Sequence, residues 1–197
     1  MLSSITPLGE RGRSNRWPLT VSTYIAGSCL GGAALGAVLG ATGSLLPSSP
    51  RVALGAFAVA ALVGLLIDLG ARRTQLPTTH RQVNERWLDE YRGWVYGLGY
   101  GFQLGLGIVT IVTSAATYLT FVAAFLCHSQ VGGLVIGASF GLARSLPVLL
   151  TRPVRHPASL RTLLSRNARW APVARRISVA GQMCALAAAV LAMMVTS

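Results

Sequence analysis

Residues 94–126 read WVYGLGYGFQLGLGIVTIVTSAATYLTFVAAFL, a run that no charge interrupts. At 1.5 Å per residue, an unbroken helix of this length outruns a hydrocarbon core of roughly 30 Å. The run therefore predicts a membrane span that is broken, strongly tilted or partly emergent. Gly97, Gly101 and Gly105 recur every four residues, with Gly99 and Gly107 beside them, a spacing that lets a second backbone approach one face. Gln103, Thr110, Thr113, Ser114, Thr117 and Thr120 follow at three-, four- and seven-residue steps. In lipid such a stripe faces a partner helix or a wet cavity. Either Gln103, Thr110, Thr113, Ser114 and Thr117 line a cavity, or their hydroxyls bond to their own and neighbouring helices.

Four further apolar runs flank this one, at about 19–46, 52–70, 132–150 and 177–195. With 52% apolar and 11% charged residues, the chain belongs to the membrane class. The expected fold is an all-α polytopic membrane helix bundle of about five transmembrane helices plus two interfacial amphipathic helices. Residues 19–197 would form a single transmembrane domain, and 1–18, with Arg11, Arg13 and Arg16, a short flexible cytoplasmic tail. A cleaved signal peptide does not suit a first apolar run this long with another span directly behind it. In that first span Gly32, Gly36 and Gly40 form a second four-residue ladder.

The net charge of +12 would suggest nucleic acid in a soluble protein. Here all seventeen cations are arginine, and fifteen of them lie in residues 1–18, 71–93 and 151–176, between the apolar runs. No aromatic-basic interleaving of the kind that stacks bases appears. The partner that this pattern implies is the lipid bilayer, not nucleic acid. The bias predicts a bacterial cytoplasmic membrane address, amino terminus inside and carboxyl terminus outside.

Within 71–93, Thr79 and Gln82 after Pro77 resemble a capping box, and Val83, Trp87, Tyr91 and Trp94 share one face. Glu85, Asp89 and Glu90 fit a salt-bridged surface helix better than a metal or catalytic group with His80. Leu160, Leu163, Leu164 and Trp170 suggest the second interfacial helix. No metal or cofactor site is expected. Asp68 and Arg144 lie near the inner ends of spans 2 and 4, where they either form an intramembrane charge pair or leave Arg144 to snorkel outward. Cys29, Cys127 and Cys184 show no CxxC spacing. Cys29 with Cys184 is a conceivable redox pair, and Cys127 beside His128 a conceivable surface thiol, although buried cysteine is most often a small apolar filler.

GYGFQLGLGIVTIV (99–112), GGLVIGASFGLARSLPVLL (132–150), a basic loop and RRISVAGQMCALAAAVLAMM (175–194) follow one another. This order resembles the second half of the cytochrome c biogenesis and disulfide-interchange transmembrane family. The resemblance implies a membrane bundle and a thioredoxin-like or other membrane protein as partner. Members carry electrons through an embedded cysteine pair, each cysteine beside a proline. The corresponding stretch here, VTIVTSAATYL (109–119), has neither residue.

Three function classes follow. The first is a redox-associated variant of the thiol-disulfide carriers. The second is a small-solute exporter or transporter using the stripe on span 3. The third is a non-catalytic membrane subunit or assembly factor.

Overall fold

The computed structural model describes residues 5–46, 48–70, 90–107 and 114–195. In chain order these form α1 (Pro7–Gly12), α2 (Trp17–Ser44), α3 (Pro50–Asp68), α4 (Gly93–Leu106), α5 (Ala116–Leu126), α6 (Gln130–Ser145), a 3-10 helix (Leu146–Thr151) and α7 (Pro157–Val195). Among the described residues there is no strand. Ser49 caps α3 by accepting from Val52 N at 3.4 Å, and Ser129 caps α6 by accepting from Gly132 N at 3.1 Å.

The bundle is built around α2 because glycine lines two of its faces. On one, Gly27 and Gly31 lie against the carbonyls of Leu98 and Phe102, while Gly101 and Gly105 of α4 lie against those of Tyr24 and Ser28. On the other, Gly32 and Gly36 face Gly137 and Gly133 of α6 reciprocally, carbonyl to α-carbon. A methyl group at any of these positions would overlap a backbone oxygen. Helices in lipid gain nothing from hiding apolar side chains from water, so such backbone proximity supplies the packing. Ser28 sits where the two seams meet and donates from Oγ to Gly141 O at 2.7 Å.

A second layer pairs α3 antiparallel with α7: Gly55 faces Met193, Gly64 faces Gln182, and Asp68 meets Arg175. Among the described residues four helical stretches are long and apolar enough to cross a membrane, namely Trp17–Ser44, Pro50–Asp68, Gln130–Thr151 and Arg169–Val195. The chain is thus a multi-pass membrane protein. The third of the five expected spans is broken, one of the outcomes its length predicts, α4 ending at Leu106 with Gly107 behind it at φ +66° and α5 starting at Ala116. The expected second interfacial helix and the fifth span are one continuous helix, α7, with Pro172 inside it. The first interfacial helix, with His80, Glu85 and Asp89, falls mostly outside the described residues.

The amino-terminal segment expected to be a flexible tail is folded from residue 5 onward. Thr6 accepts from Gly9 N at 3.0 Å and Pro7 opens α1, an ordinary helix start. Ile5, 1% exposed, joins Val21, Tyr24, Tyr96, Tyr100, Leu104 and Val148 in one apolar cluster. Glu10 is fully buried, so its charge must be compensated. Thr20 Oγ1 donates to it at 2.8 Å, Tyr96 Oη donates to it, and the Arg13 guanidinium lies 3.4 Å away. Thr20→Val should cost about 2 kcal/mol, the usual worth of a hydrogen bond to a charged group. Faster trypsin cleavage after Arg11 and Arg13 would report the loosened segment, and an unchanged rate would show that Thr20 does not hold it.

A candidate functional site at the divided third span

Dividing a helix at membrane depth exposes backbone N–H and C=O groups that lipid cannot satisfy, so the protein itself must supply partners. At the end of α4, Gly107 takes the left-handed conformation that glycine adopts without strain, and its N–H donates to Leu104 O at 3.1 Å. The rings of Phe121 and Phe140 wall this turn, 5.6 Å apart and edge to face. A side chain at 107 would meet both rings.

The start of α5 is capped from another helix. Ala115 has no side chain to cap with, and its N–H donates to both carboxylate oxygens of Asp68, at 3.0 and 3.2 Å. Ala116 N donates to Ser114 Oγ at 3.2 Å, and Ser114 Oγ donates to Asp68 at 2.7 Å. A carboxylate at a helix amino terminus also lies at the positive end of its dipole. Gln182 Nε2 of α7 supplies a further donor to Asp68 at 2.5 Å, and Ser178 Oγ lies 2.6 Å from Ser114 Oγ.

Asp68 is bound at its backbone as well. Arg175 spreads its guanidinium over the Asp68 carbonyl, Nε at 3.1 Å and Nη2 at 2.6 Å, satisfying an oxygen at the carboxyl end of α3. Arg175, Ser178 and Gln182 stand at i, i+3 and i+7, hence on one face of α7. Through one residue the end of α3, the start of α5 and the middle of α7 are tied together. Chemically the node is a carboxylate supplied with hydroxyl, amide and helix-end donors, and it ties the second half of the third span to α3 and α7.

The two residues of the expected charge pair are each placed among other partners. Asp68 is held by Ser114, Ala115 and Gln182, whereas Arg144 lies over the Phe140 ring, its guanidinium carbon 5.3 Å from the centroid. A planar cation of delocalised charge stacks readily on an aromatic face at i−4. Of the expected cavity lining, Ser114 belongs to the node, Gln103 and Thr117 are half-buried on α4 and α5, and Thr110 and Thr113 fall outside the described residues. The face of α4 carrying Gly101 and Gly105 is closed against α2 by backbone contact rather than opened to water. The three cysteines are free thiols: Cys29 half-buried on α2, Cys184 exposed on α7, and Cys127 donating to Ala124 O at 3.0 Å in the α5–α6 turn. Next to it His128 Nε2 lies 3.0 Å from Ser48 Oγ, tying that turn to the α2–α3 turn. Among the described residues no cluster suits a metal ion.

Sequence reasoning missed Arg175, Ser178 and Gln182. The available signal was Gln182, an isolated amide in the apolar run ISVAGQMCALAAAVLAMMV, with Ser178 four residues before it.

No family model matches the chain, and no solved structure matches it. It is similar to the methylamine utilization protein MauF of Paracoccus versutus, 30% identical over 179 residues that cover 87% of this chain and 65% of that protein. MauF of Paracoccus denitrificans is 33% identical over 74% of this chain and 55% of its own length. MauF of Methylobacillus flagellatus is 30% identical over 75% of this chain and 53% of its own length. The chain thus spans between about half and two thirds of the relatives it is similar to, and the likeness extends over most of its own residues.

Proposed function

We propose that this protein is a membrane accessory protein of methylamine utilization, a non-catalytic factor that supports a redox enzyme system from within the bilayer. The likeness to MauF proteins over 87% of the chain carries the reading. The packing supports it: α2 meets α4 and α6 backbone to backbone, a rigid frame, while the second half of the third span is held by a polar node. A frame with one latched element suits docking or assembly better than solute passage.

The thiol-relay reading needs two cysteines that can meet. Cys29 lies on the central helix and Cys184 on an exposed face of α7, an arrangement that favours separate roles. The experiment is deletion of the gene in its own host, followed by growth with methylamine as the nitrogen source and with ammonium as the control. Loss of growth on methylamine alone, restored by the wild-type gene, is expected. Undiminished growth on methylamine would overturn the reading. The Cys29→Ser, Cys127→Ser, Cys184→Ser triple variant should restore growth as fully as wild type, and failure despite normal membrane levels would revive the redox class.

A further inference from the structure

At the end of the bundle where α2 begins, Arg11, Arg16, Arg152 and Arg155 line an open groove of about 880 Å³ with Trp17 and Leu19. Three elements build it: α1 supplies Arg11, the start of α2 supplies Arg16, Trp17 and Leu19, and the segment joining the 3-10 helix to α7 supplies Arg152 and Arg155. All four arginines are exposed, and among the described residues no carboxylate lies within ion-pair distance of them. Glu10, the acid nearest in sequence, is buried and turned toward Thr20, Tyr96 and Arg13.

The groove therefore brings four guanidinium groups together from three elements, and guanidinium is a donor set that holds a phosphate. Its wall at Leu19, 49% exposed, continues directly into the membrane-spanning face of α2. A free anion would use only the donors, whereas a lipid would use both the donors and the apolar flank.

We propose that this groove binds the phosphate of an anionic glycerophospholipid, whose acyl chains run from Leu19 along α2. The bound headgroup ties α1, α2 and the segment before α7 together. Titration of the full-length protein in neutral detergent with short-chain phosphatidylglycerol should show saturable binding and a rise in Tm. Short-chain phosphatidylcholine and inorganic phosphate at the same concentrations should give neither.

Arg152→Gln with Arg155→Gln should weaken phosphatidylglycerol binding roughly thirtyfold, each basic residue near an anionic lipid contributing about fivefold. Without added lipid the Tm of this variant should stay at the wild-type value, because both side chains are exposed. Equal phosphatidylglycerol affinity in wild type and variant would overturn the proposal. So would a response to inorganic phosphate as large as that to the lipid, which would identify an anion site without lipid character.

Discussion

Gly36→Val is expected to abolish most of the folded protein in mild detergent, with a loss of about 3 kcal/mol or more. The Cβ would fall on the carbonyl oxygen of Gly133, and next to it on the α-carbon of Gly137. Neither can swing aside as a side chain can, so the whole of α6 must retreat. Overpacking in a yielding core costs about 1–3 kcal/mol, and a rigid backbone contact belongs at or above the top of that range. Gly36→Ala places the same Cβ on that oxygen and should cost about 2–3 kcal/mol, in the upper part of that range. Gly181→Ala supplies the control, since nothing lies within 4 Å of an added Cβ there, and alanine favours an exposed helix position by up to about 1 kcal/mol. Thermal unfolding of the three variants should rank Gly181→Ala at or above wild type, then Gly36→Ala, then Gly36→Val. Equal Tm values for Gly36→Val and wild type would mean that the α2–α6 seam is not the close contact described.

The glycine ladders are the part of this architecture that the sequence exposes most directly, because a four-residue repeat of glycine in an apolar run has few uses besides helix contact. Both ladders noted in the chain, Gly32–Gly36–Gly40 and Gly97–Gly101–Gly105, lie in seams with α2. What periodicity does not say is which ladder meets which. Gly32 and Gly36 meet Gly133 and Gly137 of α6, whereas Gly101 and Gly105 meet the carbonyls of Tyr24 and Ser28.

The third span shows a different limit. Length alone made a break one of three outcomes, and choosing among them required the left-handed turn at Gly107 and an acceptor for the Ala115 N–H. That acceptor, Asp68, lies 47 residues from Ala115 in sequence, and Gln182, which also donates to it, lies 114 residues from Asp68. Such pairings arise from which helices pack together, so no local pattern announces them. Pairing Asp68 with Arg144 weighed charge alone, but a carboxylate can also be satisfied by neutral donors and a helix end, and an arginine by an aromatic face. The amino-terminal segment was half legible. Thr6 followed by Pro7 is a helix start, yet burial of Ile5 depends on Val148, which is brought to it by the far end of the fourth span.

If Asp68 is the latch of the divided span, Asp68→Ala should loosen α5 more than any other single change at the node. The substitution removes the acceptor for Ala115 N, Ser114 Oγ and Gln182 Nε2 together. Each buried donor left without a partner costs about 1–3 kcal/mol, but Ser114 can turn to Ser178, so the total should be about 3 kcal/mol. Asp68→Asn keeps one acceptor oxygen and should cost roughly half as much. Arg175→Gln removes only the exposed contact to the Asp68 carbonyl and should cost about 1 kcal/mol or less. Hydrogen–deuterium exchange separates a latch from general destabilisation. Amides at the start of α5, from Ala115 to Tyr118, should exchange faster in Asp68→Ala, while those of α2 and α6 keep their wild-type protection. Uniformly faster exchange would make Asp68 an ordinary stabilising residue, and unchanged exchange at Ala115 would remove the cap itself. If the latch is also what the protein's accessory role depends on, Asp68→Ala should fail to restore growth on methylamine although α2 and α6 remain intact, whereas Arg175→Gln should restore it.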